Sequence, residues 1–129
     1  MKGLEKIKYK SKTIALIVRN DVDIKDGINF FTTPKDPLQL ALHSYKAKKE
    51  TNIHHNKVKT PFNQTQKYKY IYMIKGNAIV HLSLESGKVI KILKLKKGDS
   101  IVIMDIYHKV IFSPKSRVIE IKQGPYDKE

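Results

Sequence analysis

Most of the chain alternates with a period of two. In YKYIYMI, Tyr68, Tyr70 and Tyr72 interleave with Lys69, Ile71 and Met73. Successive side chains of a strand point to opposite faces, so the two sets belong to opposite sides of one sheet. LQLALHS places Leu38, Leu40 and Leu42 together and opposes them with His43. TIALIV (Thr13 to Val18) and INFFT (Ile28 to Thr32) are β-branched and aromatic runs of strand length. AIVHLSL and KVIKILKL flank ESGK, a hairpin signal, and SIVIM, HKVIFS and RVIEIKQ follow with short turns between them. About ten short strands with no long amphipathic helical pattern predict an all-β sandwich or barrel. The exception is the polar, lysine-rich connection from Ser44 to Tyr68. A connection of this length in a compact domain is a candidate for function.

The 129 residues fit one domain with one core, residues 1–129. No apolar run reaches the length of a membrane span, and MKGLEKIKYKSK lacks the apolar region of a secretion signal, so a cytoplasmic location is expected. With no cysteine, disulfides, thiolate zinc sites and thiol catalysis are excluded. The net charge of +14 raises the question of nucleic acid. Against that, all but Arg19 and Arg117 of the 26 basic residues are lysines, and they are spread along the chain. Base readout favours the two-pronged guanidinium gathered on one face. The lysines are read as a solvated surface that also draws in anionic small molecules such as a nucleotide-linked sugar.

The order of turns and strands carries a resemblance. In YIYMIKGNAIVHL a strand ends at Gly76 and a hairpin partner follows; in KKGDSIVI a Gly-Asp turn precedes a strand, and His108 comes after it; VIEIKQGPY (Val118 to Tyr126) closes the chain. Over residues 38–126 this resembles the cupin superfamily, small double-sheet, jelly-roll-like antiparallel β-barrels. The tail is similar to that of short cupins found with sugar-nucleotide and surface-polysaccharide enzymes. The resemblance implies a barrel pocket with His108 at its lining. It also shows departures. The usual first motif has a His-x-His pair, then a glutamate seven residues before the glycine, but seven before Gly76 stands Lys69. The histidine places fall within Phe62 to Thr65, which holds none; the candidates are the displaced His54 and His55, of which His55 is nearer. As neighbours they point to opposite faces if extended.

Lysine in the place of the carboxylate would repel a divalent cation and favour an anionic oxygen. No bound metal and no cofactor are therefore expected. His108 and His55 are read as the polar centre and as candidate acid/base residues, with Lys69 meeting a carboxylate or phosphate, Gln66 donating to a hydroxyl and Tyr107 forming an aromatic wall. His81 is assigned to a sheet surface, and His43 either to the pocket or to the surface. The implied function is binding of a small polar or anionic ligand, a sugar or nucleotide-sugar in polysaccharide biosynthesis. The alternatives are a metal-independent keto-sugar isomerase or epimerase using histidine, and, behind it, a metal-binding cupin or a nucleic-acid-binding protein. Pairing of two subunits through the N-terminal strands is expected, making a homodimer.

Overall fold

In a computed structural model, residues 1–53, 68–104 and 106–125 are described. Among them are eleven strands and no helix: β1 (Leu4–Tyr9), β2 (Lys12–Val18), β3 (Gly27–Phe30), β4 (Leu38–Tyr45), β5 (Lys49–Glu50), β6 (Lys69–Lys75), β7 (Ala78–Ser83), β8 (Val89–Leu95), β9 (Ser100–Ile103), β10 (Tyr107–Phe112) and β11 (Ser116–Gln123). They form one sheet in the order β3-β4-β11-β6-β9, a second in the order β5-β10-β7-β8, and the separate hairpin β1-β2. Every ladder is antiparallel.

The period-two pattern sets which residues fill the space between the two sheets. From the five-stranded sheet come Tyr45, Ile71, Met73, Ile103 and Val118; from the other come Ala78, Val80, Leu95, Val110 and Phe112, in a single apolar cluster. The tyrosine strand has the expected register, with Lys69, Ile71 and Met73 buried and Tyr68 and Tyr72 exposed. The described ladders do not join the two sheets to each other, so the expected barrel is realised as an open double-sheet sandwich with edges at β3, β9, β5 and β8.

A second cluster lies on the other side of the five-stranded sheet. Val22, Phe31 and Leu42 are buried there, covered in part by Leu4, Leu16 and Val18 of the β1-β2 hairpin. The leucine face of β4 therefore serves this outer layer, and the residues that alternate with it, Gln39, Ala41, His43 and Tyr45, turn into the sandwich.

Two turns hold the frame of the site. Gly98 donates its backbone N–H to the carbonyl of Met73 at 2.8 Å, and the Asp99 carboxylate accepts from the N–H of Lys96 at 2.8 Å, locking the Lys-Gly-Asp turn against β6. Gly76 turns β6 into β7 with φ of 80°, in the left-handed region that favours glycine.

Candidate functional site

Strand β11 lies between β4 and β6, and its register places one acidic residue among basic neighbours. Val118 is opposite both His43 and Met73, and Glu120 is opposite Ala41 and Ile71. Glu120 is thus diagonal to His43 on one side and, because Lys122 pairs with Lys69, diagonal to Lys69 on the other. Lys69 Nζ lies 3.4 Å from Glu120 Oε1, and His43 Nε2 lies 3.6 Å from the same oxygen. Lys69 Nζ also reaches across the sandwich to His108 Nε2 of β10 at 3.4 Å. At the other end, His43 Nδ1 is 2.7 Å from the Tyr45 hydroxyl.

The result is a string of five side chains, His108, Lys69, Glu120, His43 and Tyr45, each no more than 6% exposed. Phe112 packs against it, with ring centroids 5.1 Å from Tyr45 and 5.7 Å from His43. Burial by itself would push the Glu120 carboxyl up, but His43 and Lys69 beside it outweigh that and hold it well below the ordinary carboxylate range. Burial, together with the negative charges of Glu120 and Asp26, pushes the Tyr45 phenol up to about 12. The Tyr45 hydroxyl and His43 Nδ1 share a hydrogen bond, and His43 Nε2 on the other side of the ring faces Glu120. At 3.6 Å that contact is too long to be a formed hydrogen bond, and His43 Nε2 is a buried polar atom without one among the described residues. Ser83 Oγ and Ser116 Oγ are in the same condition.

The expected site residues divide into three groups. Lys69 and His108 come together inside the sandwich. Tyr107 opens β10 one position before His108, so alternation turns it to the opposite face of the sheet from His108. His55, His54 and Gln66 lie outside the described residues. His81 is half-buried on β7, between the inward Val80 and Leu82 in the alternation, on the outer face. The open choice for His43 resolves inward. Sequence reasoning missed Glu120 and Tyr45. The signal for Glu120 was available: in RVIEIKQ it shares a face with Val118 and stands as one acid in an apolar alternating strand. The expectation that Lys69 awaits an anion also changes, because Glu120 already supplies one.

No protein-family model matches the sequence, and no curated protein sequence does. Solved structures do resemble the fold. A cupin-2 domain protein from Shewanella frigidimarina superposes with a TM-score of 0.54 at 12% identity, covering 80% of this chain and 85% of its own. KdgF from Halomonas does so with a TM-score of 0.55 at 19% identity, covering 83% and 86%.

The chain has the cupin fold.

Oxalate decarboxylase of Bacillus subtilis, whose Mn(II) centres have been characterised, matches with a TM-score of 0.54 at 17% identity over 71% of this chain; the chain spans only 22% of that enzyme's length. A metal centre of that kind can be tested against the donors here. Among the described residues no group of three or more His, Asp or Glu side chains is placed to hold a metal ion. The Lys69 ammonium stands 3.4 Å from both His108 and Glu120, where a cation bridging them would have to sit. The described donor set does not fit a divalent cation, and the cupin interior here is organised around an internal ion pair instead.

Proposed function

We propose that this cupin binds a small hydroxyl-rich molecule, a sugar or nucleotide-sugar of polysaccharide biosynthesis, between its two sheets. The observation that carries the reading is the buried string from His108 to Tyr45, which sets donors and acceptors side by side in a largely apolar interior and leaves His43 Nε2 without a formed hydrogen bond among the described residues. Burying such groups is costly unless they are hydrogen-bonded, so they suit a guest that brings hydroxyls to them. Lys69 and Glu120 cancel each other's charge, which shifts the choice toward the sugar part of a ligand over its phosphates. The His55 and Gln66 roles belong to the same proposal, as does a cytoplasmic setting; no described helix is long and apolar enough to cross a membrane.

A second reading rests on the two imidazoles. His43 has a phenol on one nitrogen and a carboxylate facing the other, and His108 has an ammonium 3.4 Å away. Histidine held between such groups is equipped for proton transfer, as metal-independent isomerisation or epimerisation of a keto-sugar requires. A thermal-shift screen with nucleotide sugars, free sugars and divalent metals tests the first reading. A sugar at 100 times its dissociation constant should stabilise the fold by about 2.7 kcal/mol. Stabilisation by a metal and by no sugar would overturn it. His108→Gln separates the two readings: a binding protein should change modestly in affinity, whereas an isomerase should lose about 10²-fold or more in turnover with its ligand still bound.

A further inference from the structure

A cavity of about 480 Å³ opens on the outer face of the five-stranded sheet, across that sheet from the buried string and beside the end of the β1-β2 hairpin. Its walls include Leu40 and Leu42 of β4 and Ile119 and Ile121 of β11. These residues alternate with His43 and Glu120, so the two sides of one sheet present unlike chemistry: a polar string inside, an aliphatic hollow outside. Arg19 and Arg117 both line the hollow. They are the only arginines of the chain, against a background of lysine.

Both arginines are tied to the same short turn. The N–H of Val22 donates to the Arg19 carbonyl at 3.1 Å, and Arg117 Nη2 donates to the Val22 carbonyl at 3.5 Å. The Arg19 guanidinium is paired with Glu5 at 3.2 Å, where both side chains are exposed. For the half-buried Arg117, the long bond to Val22 is the one hydrogen bond its guanidinium makes among the described residues. A guanidinium has five N–H donors in a planar fork that matches a carboxylate two-to-two. The volume is within the usual range for small-molecule sites, which combine apolar walls with a few placed polar groups.

We propose that this hollow is a second ligand site, for an amphipathic monoanion: an aliphatic body lies against the leucine and isoleucine walls and a terminal carboxylate meets the fork of Arg117, with Arg19 beside it. Lysine would attract an anion equally well from the surface, but it could not provide the paired hydrogen bonds. The site is independent of the sugar proposal, since its walls face the opposite side of the sheet.

Isothermal titration of the full chain with decanoate, decanol and acetate, each at concentrations below micelle formation, provides the test. Decanoate should bind at one site per chain, with decanol and acetate each at least tenfold weaker. Arg117→Gln should weaken decanoate about tenfold or more, Arg117→Lys should recover only part of that, and His108→Gln should leave it unchanged. The comparison of the three ligands on the unmodified protein stands even if a variant fails to fold. Equal binding of decanol and decanoate would overturn the proposal, as would an unchanged affinity in a folded Arg117→Gln protein. So would absence of decanoate binding to the folded full chain.

Discussion

Lys69 and Glu120 are each defined by the other. A buried ion pair seldom stabilises a fold relative to a well-packed apolar pair, because desolvation offsets the attraction, but removing one member leaves an uncompensated charge. Lys69→Met should therefore cost about 3 to 5 kcal/mol in denaturant unfolding, and Glu120→Gln a comparable amount. The double variant should cost less than the sum by about 1 kcal/mol or more, and strict additivity would show that the pair does not interact as described. Acid gives a second handle on Glu120. Its carboxyl in the fold is held below the ordinary 4.5, so the unfolded chain takes up the proton first. The contribution is complete above about pH 4.5 and drains away as pH falls through the folded value. Stability measured from pH 6 to pH 3 should fall less steeply for Glu120→Gln than for the unmodified chain. Half of this pair was legible in the sequence. Lys69 stood out because it occupied a motif position, while Glu120 required knowing which strand lies beside β6, a long-range pairing that local periodicity does not carry.

Strands and turns were more legible than the site, for the same reason. Alternation over five to eight residues is a local property, and it located β4, β6, β7, β8, β10 and β11. Strand β1 escaped notice because LEKIKY carries lysine or glutamate on half of its positions, and its pairing with β2 is closed by a turn with Lys10 and Ser11 at positive φ where glycine or asparagine is the usual signal. Gly76 is the opposite case: the sequence marked it as the end of a strand, and the backbone explains why. At φ of 80° a side chain is strained there, and a β-carbon would stand 2.8 Å from Ser113 Oγ and 3.0 Å from the backbone of Ser116. Ser113 Oγ already accepts the N–H of Asn77 at 3.0 Å, so it cannot withdraw without loss. Gly76→Ala should destabilise the protein by more than about 1 kcal/mol in urea unfolding, and a neutral result would mean that the β6-β7 turn is more adaptable than its geometry indicates.

For the molecule as a whole, the double sheet was foreseen and the outer layer was not. The far half of the β1-β2 hairpin leaves Tyr9 and Ile14 exposed, at 62% and 60%, and the edge strand β3 exposes Ile28 and Phe30. Apolar side chains concentrated on unpaired edges favour association, which supports the proposal of a homodimer built on the N-terminal strands. Light scattering at micromolar concentration should return twice the chain mass of 14.9 kDa. Ile14→Lys together with Tyr9→Ser should reduce it to the single chain without loss of strand content. A single-chain mass for the unmodified protein would count against the homodimer.

The internal pairing of Lys69 with Glu120 also sets the terms on which any guest is admitted. With those two charges cancelling, a neutral sugar of the kind proposed would meet an interior that is already balanced. A guest that carried a negative charge there would unbalance it and would have to bring a counter-charge with it, a proton taken from solvent being the smallest. Anion binding would then be linked to proton uptake: its measured heat should change with the ionisation enthalpy of the buffer, and its affinity should weaken as pH rises. For a neutral sugar the heat should be the same in phosphate and in Tris, so a pair of calorimetric titrations reads from solvent protons which part of a nucleotide-sugar lies inside.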